Sequence, residues 1–172
     1  MPDTEKFTLR SYFRILSRLL GEPGRFFSEL PQEFGLKQST GFLLVSSLFF
    51  TVAGLVSNTC SSPVSMGVIF FINAMGMVFI AAGLGYMVMT MTMGRRVTFT
   101  RFFSIYALSS GVTLLASWVP FFIWLTEPWK WWLIGTGMMK CFGFKLRQTV
   151  LVIGVSICIM FLFFWSLLPI IF

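Results

Sequence analysis

Histidine is absent from this chain of 172 residues, and acidic side chains are scarce. Of the six aspartates and glutamates, five lie before residue 40, and Glu127 is the only later one. Histidine is the commonest proton carrier in acid–base catalysis, and carboxylates are the usual alternative. Membrane enzymes that modify lipids also depend on histidine or acidic metal ligands. We therefore expect a protein that is not an enzyme, with no catalytic residue, no cofactor and no resident metal.

Cysteine is also rare, with Cys60, Cys141 and Cys158 as the three examples. None of them belongs to a C-x-x-C pair, and they fall at different depths of the predicted membrane helices. Such spacing predicts neither a disulfide framework nor a zinc site. We interpret each cysteine as a small apolar packing residue.

Charged residues make up only 11% of the chain, whereas 56% of the residues are hydrophobic and the mean hydropathy is +0.85. This composition predicts an integral membrane protein. The net charge of +7 would suit a nucleic-acid-binding protein only if the basic residues shared one soluble face. They flank apolar runs instead, so we expect anionic membrane lipid on the cytoplasmic face as a partner and no nucleic acid.

Five apolar runs predict an all-α fold, a polytopic transmembrane bundle of five spans with an amino-terminal amphipathic helix. Each crossing needs about 20 residues. The predicted division is a cytoplasmic segment at residues 1–38 and a transmembrane domain at residues 39–172. The five runs lie at residues 39–58, 64–94, 102–125, 130–140 and 149–172.

The third run contains a proline, and the fourth run is short. Pro120 lies late in the third run, and because proline removes a backbone donor and clashes with the preceding turn, we expect a kink or a helix end between Ala116 and Pro120. The fourth run is short, since Lys130 and Lys140 bound its uncharged residues. We favour a short span over a re-entrant loop, with the neighbouring tryptophans at the membrane interface.

The stretch YMVMTMTMGRR places methionine at every second position from Met87 to Met93. Residues two apart on a helix point about 200° from each other, so the pattern predicts two M-x-x-x-M pairs on opposed faces. Each pair has the soft sulfur ligands that Cu(I) prefers. Because opposed faces cannot enclose one ion, we favour ordinary packing by these methionines over metal passage.

An amphipathic helix is predicted before the first span, ending at Gly21 and Pro23. Its two faces consist of Arg10, Arg14 and Arg18 and of Leu9, Phe13, Leu16 and Leu20. Such a helix either lies in the headgroup plane with its arginines on lipid phosphates or packs on the protein's own cytoplasmic face. We favour the first placement.

The positions of lysine and arginine predict the orientation. All but Lys130 lie in the amino-terminal segment or in the loops at residues 94–101 and 140–147. Basic loops stay on the cytoplasmic side, so we expect a cytoplasmic amino terminus and a carboxyl terminus outside. The predicted lipid-binding or partner-binding residues are Arg10, Arg14, Arg18, Arg95, Arg96 and Arg101.

Several motifs resemble the Ypt-interacting (Yip) family. They are the element PGRFFSEL before the first span, the entry GRRVTFTRFFSIYALSS to the third span, its end SWVPFFIW, and the fourth span WKWWLIGTGMM. The resemblance covers most of residues 23–172 and implies five spans, assembly with itself or with relatives, and a role in membrane organisation or trafficking. The acidic cytoplasmic region of eukaryotic members, which implies Rab-type GTPases as partners, is missing. The compact form resembles prokaryotic members and implies a bacterial inner membrane.

Two functional hypotheses follow. The favoured one is a non-enzymatic membrane scaffold or adaptor, which binds anionic lipid through its basic residues and binds a membrane-protein partner or a second copy of itself. The alternative is an oligomeric channel or a transporter of ions or small solutes. Polar side chains near the membrane are its candidates, and they are Asn73, Glu127, Lys130 and Lys140. Ala81 and Gly85, on one face of the second span, predict a packing seam within the chain.

Overall fold

The computed structural model describes residues 8–31, 34–57, 63–94 and 97–171. Within these residues every regular element is helical, which confirms the all-α class. The α-helices are α1 (Leu9–Gly21), α2 (Pro23–Ser28), α3 (Leu36–Ser57), α4 (Pro63–Met93), α5 (Phe99–Ser117), α6 (Ile123–Phe142) and α7 (Leu146–Ile171). A short 3₁₀ turn at Pro120–Phe122 joins α5 to α6.

Three of the described helices, α3, α4 and α5, are long and apolar enough to cross a membrane. α7 contributes a shorter apolar stretch at Leu146–Leu162, and α6 carries Glu127, Lys130 and Lys140 along its length. The prediction of a polytopic membrane protein is therefore supported by three helices. Crossing of the membrane by α6 and α7 stays a prediction.

The break between α5 and α6 lies where Pro120 predicts a helix end. α5 stops at Ser117 and a single 3₁₀ turn follows, because proline has no amide to donate and its ring clashes with the preceding turn. One predicted boundary is wrong: residues 123–125, assigned to the third span, begin α6 instead. The fourth run is therefore part of a helix of 20 residues, Ile123–Phe142.

α5 is the central helix, and its residues from Phe102 to Thr113 are all buried. α3, α4 and α6 all pack against it. The approach of α3 depends on Gly111, where an added Cβ would lie 2.7 Å from the Phe42 ring. Small residues let membrane helices come this close, so the α3–α5 contact requires glycine at this position.

The predicted small-residue seam of α4 packs against α5 of the same chain. A Cβ added at Gly85 would lie 2.5 Å from the hydroxyl of Tyr106 and 3.3 Å from the ring of Phe102. These two aromatic side chains stack, with ring centres 5.0 Å apart. The absence of a side chain at Gly85 thus makes room for the aromatic core of the bundle.

The methionines of α4 divide between two faces, as the helical spacing predicts. Met89 is fully buried and packs in the core cluster with Phe102. Met87 and Met91, one turn apart, are exposed. Alternation along the sequence is therefore the signature of a helix with one buried face and one outer face, and not of a strand.

Replacing Gly111 with alanine should destabilise the bundle by about 1–3 kcal/mol, because the methyl group would overlap the buried ring of Phe42. Gly76→Ala on α4 is the matched control, since nothing lies within 4 Å of a Cβ added there. Alanine at that position should be neutral or stabilising by up to about 1 kcal/mol. Thermal unfolding in detergent compares the variants, and equal melting temperatures would contradict the close approach of α3 and α5.

Candidate functional site

The first candidate site is formed by α1 and α2, two short helices joined by a tight elbow. Thr8 caps α1, because its Oγ1 accepts a hydrogen bond from the amide of Ser11 at 3.3 Å. α1 ends at Gly21, and α2 begins at Pro23. Proline suits the first position of a helix, where no amide donor is needed. The local sequence therefore determines where each helix begins and ends.

Tyr12 attaches α1 to the bundle. Its side chain is only 4% exposed, its hydroxyl lies 3.0 Å from Oγ of Ser46 on α3, and its ring stacks on Phe42 at a centroid distance of 4.7 Å. Leu19 of α1 is also fully buried. The structure therefore packs this face of α1 on the protein itself, which is the less favoured of the two predicted placements.

Another side of α1 faces outward. Arg10 and Arg14 are exposed, and so are Leu9, Phe13 and Leu20, with Phe13 at 63%. Guanidinium groups next to large exposed apolar side chains are typical of helices at membrane surfaces. α1 thus has one side anchored to the bundle and another side open to a lipid or protein partner.

Sequence reasoning missed Tyr12 because the leucines dominated the assignment of the apolar face. The spacing did contain the signal, since Tyr12, Leu16 and Leu19 recur at i, i+4 and i+7 and so lie on one side of a helix. The partner could not be read from the sequence, because Ser46 lies 34 residues further along the chain.

Burial raises the pKa of the Tyr12 phenol above its ordinary value of 10.0, while the hydrogen bond with Ser46 opposes the shift. A raised folded-state pKa means that the neutral phenol contributes its full stability below the unfolded pKa of about 10. That contribution is lost as pH rises through the folded pKa. Docking of α1 should therefore be insensitive to pH across the physiological range.

α2 packs on the carboxyl-terminal half of α6. Phe27 is buried, and its carbonyl accepts a hydrogen bond from Sγ of Cys141 at 3.2 Å. The ring of Phe27 lies beside Gly137, where an added Cβ would come within 3.3 Å of it. Because α2 is held on α6 and α1 on α3, the elbow is attached to the bundle at two separate places.

An exposed ion pair links α1 to the residue that follows α2. Arg18 lies 3.4 Å from Glu29, and Arg25 lies 2.9 Å from the same carboxyl group. Solvent screens such pairs, so they add little stability. Within the described part of the chain, Arg10 and Arg14 have no ion pair. Of the three predicted lipid-binding arginines of α1, Arg18 therefore has an acidic neighbour among the described residues.

Arg101 is the described member of the second predicted basic group, since Arg95 and Arg96 lie outside the described residues. Its guanidinium carbon lies 5.9 Å from the ring centre of Phe142 on α6. Its Nε is buried and has no hydrogen-bond partner among the described residues. The cation–π contact ties Arg101 to α6, so this arginine contributes to packing as well as to charge.

The second candidate site is a cavity of about 320 Å³ between the five long helices. It brings together three of the residues predicted for transport, Asn73 of α4 and Glu127 and Lys130 of α6. Its volume lies at the lower end of the range of small-molecule sites. The apolar part of its wall includes Phe50, Met77, Val78, Leu114, Ile134 and Met160.

Glu127 and Lys130 form an ion pair on one turn of α6. Nζ of Lys130 donates to Oε1 of Glu127 at 2.6 Å, and the lysine side chain is only 21% exposed. Nζ also lies 5.4 Å from the ring centre of Trp131. Charged side chains in membrane helices need partners of this kind. The cavity wall therefore carries one positive and one negative charge that neutralise each other.

Lys140, the fourth residue predicted for transport, lies elsewhere. It is near the carboxyl-terminal end of α6, and its Cε is 4.0 Å from the position of a Cβ added at Gly24 in α2. It is not part of the cavity lining. The structure thus separates Lys140 from the other three candidates and places it beside the elbow.

Tyr12→Ala should release α1 from the bundle, whereas Phe13→Ala should not. Removal of a buried aromatic ring costs about 3–5 kcal/mol, and Tyr12→Phe should cost only about 0.5–1.5 kcal/mol because it removes the hydrogen bond alone. Amide hydrogen exchange of residues 9–21 in the reconstituted protein measures the protection. Equal exchange in the Tyr12→Ala and Phe13→Ala variants would contradict the docking of α1.

Comparison with known proteins gives one family. A family model described as the Yip1 domain matches residues 18–168. No curated protein and no solved structure matches the chain. The matched segment begins within α1 and continues into α7, so it contains all of α2 to α6 and the cavity between the long helices.

Proposed function

Because the chain belongs to the Yip1 domain family, we propose that it acts as a non-enzymatic membrane scaffold or adaptor. The observation that carries this proposal is the docking of α1. Tyr12 and Leu19 hold the helix on the bundle, while Arg10, Arg14 and Phe13 face outward. A surface held in this way is suited to binding a membrane or a partner without any chemical step.

The chemistry of the outer face of α1 favours anionic lipid. Arg10 and Arg14, which have no ion pair among the described residues, can attract the phosphates of a charged leaflet, each contributing about 1 kcal/mol near the surface. Leu9 and Phe13 add apolar area that can enter the boundary between headgroups and acyl chains. The attachment of α1 to α3 and of α2 to α6 then fixes the orientation of the bundle relative to that surface.

The location and assembly belong to the same proposal. The distribution of lysine and arginine supports a cytoplasmic amino terminus and a carboxyl terminus outside. The resemblance of the compact chain to prokaryotic members of the family supports a bacterial inner membrane. The exposed apolar residues of α3 and α4 offer area for a membrane-protein partner or a second copy of the chain. Lipid contact through α1 would hold such an assembly close to the cytoplasmic leaflet.

A spin label at position 13 tests the lipid contact. In the full chain, with its cysteines replaced and a single Phe13→Cys label, the label should enter the bilayer of anionic vesicles and leave it in the Arg10→Ala, Arg14→Ala, Arg18→Ala variant. Power-saturation measurements with oxygen and an aqueous nickel reagent report its depth. A label at the exposed Val56 of α3 is the control, which should not respond to the arginines. A position 13 label that stays in water in every lipid would refute the proposal.

Transport is the second candidate function, and the observation that favours it is the meeting of Asn73, Glu127 and Lys130 in one cavity. The test is flux of protons, alkali ions and Cu(I) into proteoliposomes that contain the purified protein. A transporter should lose flux in the Glu127→Gln variant and keep it in Lys140→Met, because Lys140 lies outside the cavity. Absence of flux for all these ions would leave the scaffold as the remaining function.

A further inference from the structure

The cavity between the long helices has walls suited to a hydrocarbon chain. Val78 of α4, Leu114 of α5, Ile134 of α6 and Met160 of α7 all line it. Three of the surrounding helices are long and apolar enough to cross a membrane. An ion that passed these side chains would lose hydration without replacement, whereas a hydrocarbon chain would gain dispersion contacts.

Several polar groups of the cavity lie on the last turns of α5 and the first turns of α6, in addition to Asn73 of α4. Oγ of Ser117 donates to the carbonyl of Thr113 at 2.7 Å, and Oγ1 of Thr113 donates to the carbonyl of Ser110 at 3.0 Å. Because these hydroxyls give their protons to the backbone, their oxygens act as acceptors. Oγ of Ser117 already has Oγ1 of Thr126 at 3.3 Å, so it keeps one lone pair for a ligand. Lys130 supplies donors, since its ammonium has three protons and the contact with Glu127 uses one of them.

The charges of the cavity select against a ligand with net charge. An anion would compete with Glu127 for Lys130, and a cation would compete with Lys130 for Glu127, so either would break the ion pair. The cost is greater for a cation, because it would leave Lys130, which is only 21% exposed, without its partner. A zwitterion satisfies both charges at once. Its anionic group can pair with Lys130 and its cationic group with Glu127 through charge-assisted hydrogen bonds.

The hydrogen-bond acceptors of the cavity also favour one type of cationic group on the ligand. A primary ammonium can donate hydrogen bonds to Glu127 and to the hydroxyl oxygens of Thr113 and Ser117, whereas a quaternary ammonium has no proton to donate. Quaternary ammonium groups are recognised by aromatic cages, and the nearby ring of Trp131 already has Nζ of Lys130 at 5.4 Å. The site therefore favours a primary amine over choline.

We propose that this cavity binds a zwitterionic phospholipid with a primary amine, of the phosphatidylethanolamine type. Its ammonium pairs with Glu127, its phosphate pairs with Lys130, and part of one acyl chain lies against Val78, Leu114 and Met160. The volume of about 320 Å³ holds part of a chain, so the rest of the lipid extends between the helices into the bilayer. This ligand is independent of both the scaffold and the transport proposals, because binding requires neither cytoplasmic contact nor flux.

Native mass spectrometry of the full chain tests the proposal. The protein is exchanged into an equimolar mixture of ethanolamine, choline and glycerol phospholipids with identical acyl chains, and the retained lipid is identified. We expect one ethanolamine lipid per chain, retained about tenfold more often than either competitor, which corresponds to about 1.4 kcal/mol. Absence of retained lipid, or equal retention of the three classes, would overturn the proposal.

Two variants of α4 separate filling of the cavity from a general effect of added bulk. Ala81 lines the cavity, so Ala81→Phe should abolish retention of the ethanolamine lipid. Gly83 lies two residues further, and nothing is within 4 Å of a Cβ added there, so Gly83→Phe should retain the lipid. Equal loss in both variants, or no loss in Ala81→Phe, would refute binding in the cavity.

Two charged residues of α6 test the headgroup and keep the experiment decisive if Ala81→Phe fails to fold. Glu127→Gln should remove the preference for the ethanolamine class, because it removes the partner of the primary ammonium, whereas Lys140→Met should preserve it, because Lys140 lies outside the cavity. Soluble glycerophosphoethanolamine, added at up to a hundredfold excess, should not displace the lipid. Displacement at any of these concentrations would identify a soluble zwitterion as a ligand and would overturn the lipid assignment.

Discussion

The ring of Phe42 joins two contacts on which the arrangement of the helices depends. Its edge lies where a side chain at Gly111 would have to be, so it sets how closely α3 approaches α5. Its face stacks on Tyr12, so it also receives α1. Because this ring is fully buried, it cannot shift for one neighbour without disturbing the other. The helical core and the docked amphipathic helix therefore share a single side chain. A substitution that moves this ring in one contact also alters the other contact.

α5 connects the two candidate sites because it presents a different face to each. Ile105, Leu108 and Val112 pack in the cluster that contains the buried residues of α1 and α2. Tyr106, Ser110, Thr113 and Ser117 line the cavity. Both sets follow the spacing of three and four residues that defines one side of a helix. This division explains why α5 is buried all round and why its sequence alternates large apolar residues with small hydroxyl residues.

Much of the helical framework could be predicted from the sequence because it rests on local rules. The helix end before Pro120, the two faces of the methionine stretch and the packing of Gly85 within the chain follow from proline chemistry, helical spacing and residue size. The docking of Tyr12 on Ser46 depends on residues far apart in sequence, which spacing alone cannot pair. The start of α6 at Ile123 could not be predicted, because Glu127 and Pro128 follow it and both are unusual inside a membrane helix. The cavity could not be predicted either, because its wall is formed by residues of five helices.

The two anchors of the elbow have a consequence for the order in which the protein is made. α1 and α2 are synthesised first. Tyr12 can form its contact only after Ser46 has been made, and Phe27 only after Cys141, which lies 114 residues later. α1 can therefore dock once α3 has been made, whereas α2 remains undocked until α6 is in place. Such long-range contacts close late because the intervening chain must be ordered first. Docking of the elbow thus proceeds in two steps, which are separated by the synthesis of α4 and α5.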